Sequence, residues 1–411
     1  MTTERASGRQ TPASPNRVSP LRFVLAFGLV SMMADFVYEG ARSVIGPYLA
    51  TFGASAAVVG LVTGAGEAVA LVLRMVTGRI SDRTGRHWAL SIAGYAITVI
   101  SVPLLAVAGP LWSAVTLIVS ERSGKAVRTP ARDTMLAQAG TSIGRGWAFA
   151  VHEALDQTGA LAGPLLVALV LALTGHYQLG FAVLALPGIA CLVLLARLRA
   201  RAPVPGAFDP EARPRPSKAG AQRIGVGGFS ARFWNYTAFT ALSVTGYATF
   251  AVLSYHLQVR HVLPMAEIPV VYAVAMAAAA LAGLGSGWAY DRIGLRGLVI
   301  LPVLSAAVPF LSFSLSPTLV FIGAVVWGAA MGLHESTMRA AVADLVPPER
   351  RGTGYGTFTA VYGAAWLAGS AAIGALYGYS IGAVIVFTVV VEALALVAFL
   401  PLFRTRRGRS G

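Results

Sequence analysis

Asp35, Glu39 and Arg42 stand at i, i+4 and i+7 of an otherwise apolar run, so a helix brings all three onto one face. Glu121, Lys125, Arg128 and Arg132 repeat the arrangement at i, i+4, i+7 and i+11. Two carboxylates one turn apart in a low-dielectric site repel, so one of Asp35 and Glu39 should hold a proton near neutral pH, which is what a proton-coupled carrier needs. Arg42 is the cation of that set. His152 and Asp156, at i and i+4, form the next candidate pair. Glu67 lies at i and Arg74 at i+7 of another run, while the tenth span of the chain contributes His334, Glu335 and Arg339 and the last span Glu392. Any one of these groups has a plainer alternative as a structural ion pair holding helices in register. A lone histidine on an apolar helix is more often a satisfied core group than a proton carrier.

The elements that must position these charges are membrane helices. Hydrophobic residues make up 56% of the 411-residue chain and charged residues only 12%, a balance foreign to a soluble domain. A spanning helix needs about 20 apolar residues. By that measure six spans, near 22–50, 54–78, 88–108, 111–137, 147–173 and 179–196, precede a polar stretch. Six more follow, near 232–258, 266–290, 298–315, 317–345, 354–378 and 381–403. One charge at a helix centre costs about 3 kcal/mol on the insertion scale. The four charges of the fourth span would cost roughly 12 kcal/mol if they faced lipid, more than the surrounding Leu and Val recover. They should therefore face protein or a water-filled cavity. Arg122 points away from their face and needs a partner of its own on a neighbouring helix.

Residues 1–20, rich in Ser, Thr, Pro and Arg, read as a disordered cytoplasmic tail and not as a cleaved signal peptide. The order that follows is a bundle over 21–196, a basic cytoplasmic linker over 197–231, a second bundle over 232–403 and a basic tail over 404–411. The net charge of +15 is concentrated in the tails, the linker and alternate loops. The positive-inside rule then puts both termini and the linker in the cytoplasm of a protein of the plasma membrane. The linker prolines argue against a folded nucleic-acid face. The single cysteine, Cys191, excludes an intramolecular disulfide framework and reads as apolar packing.

A charged turn interrupts the apolar pattern twice. Gly78, Asp82, Arg83 and Gly85 form the pattern G-x-x-x-D-R-x-G, followed by Arg86, and the same pattern returns as Gly287, Asp291, Arg292 and Gly294. The recurrence at matched places indicates a duplicated domain, each turn being a tight hairpin between two membrane helices at the positive face. Two such halves joined by a cytoplasmic linker are what a parallel-repeat secondary transporter shows.

These residues resemble the major facilitator superfamily over nearly the whole chain. The turn at 78–90 looks like that family's signature loop between its second and third helices, and 287–296 like the degenerate copy. Gly159, Gly163 and Pro164 match part of a fifth-helix packing motif of the drug/proton antiporter branch, though Val167 and Ala168 replace its following glycine pair. The resemblance implies an all-α membrane protein with the major facilitator fold: two six-helix bundles, about 12 transmembrane helices, related by a pseudo-two-fold axis. It also implies a latch in which Asp82, Arg83 and Arg86 engage Asp133, with Asp291 and Arg292 as the second copy, stabilising the outward-facing state. In that fold the first, fourth, seventh and tenth helices line the central cavity, flanked by the second, fifth, eighth and eleventh. Glu67, Glu121, Arg122, Lys125, Arg128, Tyr236, Tyr247, His334, Glu335, Tyr362 and Trp366 are accordingly candidate cavity residues. The aromatics lie in two stripes, Tyr236, Phe239, Tyr247 and Phe250, and Tyr355, Phe358, Tyr362 and Trp366, which packing explains as readily as ligand contact.

Neither a phosphate-binding loop nor a zinc-ligand spacing occurs in the sequence, so ATP-driven transport, a metal centre, a cofactor and enzyme chemistry have no support. The expectation is a monomeric secondary transporter that moves a small, amphipathic organic molecule through the lipid bilayer by alternating access, with protons as coupling ion and efflux as direction. An uptake permease or uncoupled facilitator of an organic anion or metabolite is the alternative within the class. A transporter-like sensor or scaffold is the alternative outside it.

Overall fold

The computed structural model describes residues 16–208, 229–346 and 351–403, without the side chains of residues 291, 337–341, 343, 344, 351, 352 and 403. Most of the expected tails and basic linker lie outside them. The described chain is helical throughout: α1 (Pro20–Arg42), α2 (Ile45–Thr51), α3 (Ala56–Thr84), α4 (His87–Leu104), α5 (Leu111–Ala139), α6 (Arg145–Thr174), α7 (Tyr177–Val183) and α8 (Ala185–Arg201) form the first half. The second half holds α9 (Ala231–Gly246), α10 (Phe250–Val259), α11 (Ile268–Ile293), α12 (Ile300–Ser312), α13 (Pro317–Leu345), α14 (Arg351–Tyr379) and α15 (Ile381–Phe403). With α1/α2, α7/α8 and α9/α10 counted as broken rods, these make twelve rods in two bundles of six. The chain is a multi-pass membrane protein with the fold that the sequence pattern implied.

Local signals set these elements. Ser19, Ser55 and Ser230 cap α1, α3 and α9 by accepting from the backbone N–H three residues on. Both copies of the charged turn end their helix on a glycine in the left-handed region, Gly85 at φ 63° and Gly294 at φ 60°, where a Cβ would be strained. Eleven helical stretches among the described residues are long and apolar enough to span a bilayer. The remaining rod, α5, has the length at 29 residues but buries its charges: Glu121 and Arg122 are 4% exposed and Arg128 is 0%. By contrast Leu161, Leu165, Leu169 and Leu173, one turn apart on α6, are exposed, as a lipid-facing stripe must be.

Within the first bundle α1 packs on α6 and α8, and α5 on α3 and α4. A Cβ on Gly159 would press on the Met32 carbonyl and one on Gly163 on the Phe36 carbonyl, so small residues let α6 and α1 approach closely. In the second bundle α11 packs on α13, and α9 on α14 and α15. The bundles meet along α3 with α14, α6 with α11, and α2 with α10. Helix α8 runs on to Arg201, and residues 202–208 fold back on the first bundle: Trp88 Nε1 donates to the Ala202 carbonyl at 3.1 Å and Phe208 lies against Phe23. The expected linker start at 197 is thus helical and docked, because its apolar members have a surface to cover.

Candidate functional site

Helices α1, α3, α5 and α6 bring one charged layer together inside the first bundle. Arg128 Nη2 donates to Asp35 Oδ1 at 3.1 Å and its guanidinium lies 4.4 Å over the Tyr95 ring. Tyr95 shares a hydrogen bond with Ser31 at 2.7 Å, and Ser31 shares another with His152 Nε2 at 2.8 Å. His152 Nδ1 sits 3.7 Å from Asp156, Arg132 bridges Asp156 at 3.5 Å, and Arg132 also donates to its neighbour Asp133 at 2.9 Å. This is a continuous polar string from α5 through α4 and α1 to α6.

A second set lies one turn along. Arg122 donates to Glu67 at 2.9 Å and to the Tyr38 hydroxyl, and Arg42 reaches the same Glu67 oxygen at 3.4 Å. The Tyr38 ring is the floor for three cations: Lys125 Nζ stands 3.9 Å from its centroid, with Arg122 at 4.7 Å and Arg42 at 5.8 Å. Glu39 lies 3.8 Å from Arg42 and 4.0 Å from Lys125, and accepts from Tyr272 on α11 at 2.5 Å. That last bond crosses from one bundle to the other. Arg122 has the partner on a neighbouring helix that its off-face position demanded, while Asp35 and Glu39 each have their own set of partners.

The aromatic candidates divide differently. Tyr236 stacks on Phe358, and Tyr247 stacks on Trp327 while donating to its carbonyl at 2.9 Å; both tyrosines are fully buried packing elements. Tyr247 and Tyr362 border His334, which is 3% exposed and has neither ring nitrogen hydrogen-bonded, and Trp366 lies edge-on to Tyr247. Glu335, next along α13, is exposed. A cavity between the bundles, lined by Arg42, Thr63, Glu67, Arg122, Phe250 and Trp366 among others, encloses about 20 Å³, room for one water. An organic molecule enters it only if the bundles part.

At the turn, Asp82, Arg83 and Arg86 are exposed, and Asp133 is held by Arg132. Arg292 lies 3.8 Å over the Trp288 ring, and the Asp291 side chain lies outside the described residues. Sequence reasoning missed Ser31, Tyr38, Tyr95, Tyr272 and Trp327. Ser31 and Tyr38 were within reach of it, at i−4 and i+3 from Asp35 on the same face. Tyr272, near the start of an apolar helix, carries no such signal.

The family model for the Major Facilitator Superfamily matches residues 27–319 and 263–411. An uncharacterized protein of Mycobacterium tuberculosis is 51% identical over 383 residues, 92% of either chain. An uncharacterized MFS-type transporter of Methanocaldococcus jannaschii is 24% identical over 368 residues, covering 87% of this chain and 89% of its own. A crystal structure of the nucleoside transporter NupG superposes with a TM-score of 0.73 at 14% identity, over 93% of this chain and all of that one, a likeness of fold.

Proposed function

Because the chain belongs to the major facilitator superfamily, we propose that it exports a small amphipathic organic molecule across the plasma membrane by alternating access, in exchange for protons. The observation that carries this reading is the Glu39–Tyr272 hydrogen bond, which ties an acid flanked by two cations, Arg42 and Lys125, to the opposite bundle. A proton on Glu39 removes its charge, weakens its hold on Arg42 and Lys125, and so changes what the cavity offers a cargo. Asp35, one turn away, is the partner group, and the string through His152 and Asp156 is a route for protons within the first bundle. The bundles over 21–196 and 232–403 rock around this layer. The basic end that bears the Gly85 and Gly294 turns faces the cytoplasm, and the end closed by α2 against α10 faces outward. Asp82, Arg83 and Arg86 close on Asp133 in the opposite, outward-facing state.

A specific observation favours a second reading. Arg42, Arg122 and Lys125 surround Tyr38, and the two arginines line the small cavity, a setting that suits an organic anion carried without a coupling ion. One experiment separates the two: proton release from the purified, weakly buffered protein as organic cations, anions and metabolites are added in turn. Release by a compound in the wild type, and its loss in Glu39→Gln or Asp35→Asn, supports antiport. Binding with no proton released supports the uncoupled carrier.

A further inference from the structure

A buried acid stands apart from the charged layer. Glu392, at the centre of α15, is 1% exposed, and its carboxylate rests against Gly246, the last residue of α9. The hydroxyls of Ser243 on α9 and Ser305 on α12, each 0% exposed, come within interacting range of it. Neither closes a hydrogen bond of ordinary geometry, so both carboxylate oxygens and both hydroxyls are buried and unsatisfied. Among the described residues no cation is paired with Glu392. Keeping a buried carboxylate charged with no paired cation and only two loosely placed hydroxyls costs several kcal/mol, so the group requires a counter-ion or a proton.

The backbone beside it supplies an independent observation. The seventh rod breaks here: α9 stops at Gly246, Tyr247 and Thr249 are extended, and α10 starts at Phe250. A helix end inside a membrane leaves carbonyls without intrahelical donors and presents the negative end of the helix dipole. Irregular backbone at that depth persists where it lines a site, and the C-terminal ends of half-helices suit alkali cations. All donors at this place are hard oxygens, from a carboxylate, hydroxyls and carbonyls, with no thiolate or imidazole that would select a transition metal.

We propose that Glu392, Ser243 and Ser305, together with the C-terminal end of α9, form a sodium site. One Na⁺ balances the single carboxylate and joins α9, α12 and α15 at the helix break. The far side of the same break carries Thr249 and Phe250, which line the cavity with Arg42 and Trp366, so occupancy of the site is felt at the cavity wall. The inference is independent of the proton-coupled reading, since it concerns the other bundle and needs neither cargo nor a pH gradient.

The test is equilibrium binding of radioactive ²²Na⁺ to the purified full-length protein, with choline chloride holding ionic strength constant. The wild type should bind saturably, unlabelled NaCl should displace the label and choline should not. Glu392→Gln should abolish binding, and Ser305→Ala and Ser243→Ala should each weaken it by about tenfold. Wild-type binding no greater than that of a monodisperse Glu392→Gln protein overturns the proposal and leaves Glu392 as an acid that keeps its own proton. If Glu392→Gln does not fold, unchanged affinity in both serine variants overturns it equally.

Discussion

The Tyr272 hydroxyl donates to Glu39 Oε2 at 2.5 Å, joining the apolar start of α11 to the charged face of α1 across the bundle interface. Tyr272→Phe keeps the ring against Phe250 and removes only this tie. A hydrogen bond to a charged group is worth about 1.5–3 kcal/mol, so the balance between closed and open arrangements of the α2–α10 end should shift by roughly ten- to a hundredfold. Spin labels at Thr51 and Arg260, both exposed near the ends of α2 and α10, should show a new long-distance population in the variant. An unchanged distance distribution would mean that the tie is incidental.

Arg128 is 0% exposed and holds Asp35 at 3.1 Å. Arg128→Met strands a buried carboxylate and should cost about 3–5 kcal/mol, whereas pairing it with Asp35→Asn should recover a large part of that loss. Melting of the detergent-solubilised protein measures it. Additive losses in the double variant would show that the two groups do not act as a pair.

Gly163 lies where a Cβ would press on the Phe36 carbonyl, while Gly146, at the start of the same helix, has open space. Gly163→Ala should therefore destabilise by about 1–3 kcal/mol, and Gly146→Ala should leave stability within about 0.5 kcal/mol of wild type. Equal melting temperatures for the two variants would contradict the close approach of α1 and α6.

Cys191 is 0% exposed and is the chain's one cysteine. A thiol-reactive maleimide dye should leave the folded protein unlabelled and react as the first bundle opens, so its labelling rate doubles as the stability readout for the two preceding variants. Rapid labelling at room temperature would place the thiol on an accessible surface.

How far the sequence could be read depended on the kind of force involved. The rods were legible because each apolar run answers to bilayer thickness, and the inward turn of Glu121, Arg128 and Arg132 followed from the cost of placing them in lipid. The repeated turn was legible because Gly85 and Gly294 serve backbone geometry, which a motif records directly. The break at 247–249 was not legible, since no proline or charge marks it and its flanks remain apolar, whereas the one at 43–44 sits between Arg42 and Pro47 and reads through as part of one long span. Pairings were beyond the sequence for a related reason. Helical spacing puts Asp35 and Glu39 on one face of α1, but their partners Arg128 and Tyr272 come from α5 and from the other bundle, at separations that only packing decides.

The pairs Asp35–Arg128, Glu67–Arg122 and Asp156–Arg132 each join an acid and a base inside the same bundle. In the proposed rocking of the bundles they travel as neutral units. Carrying one unpaired elementary charge through a potential of 100 mV is worth about 2.3 kcal/mol, and these pairs contribute nothing of that kind. The membrane potential therefore acts on that bundle through charges outside these pairs, among them Glu39 and the two cations beside it, Arg42 and Lys125. If turnover is coupled to protons as proposed, current measured during it would carry both the ions moved with each cargo molecule and the displacement of those charges.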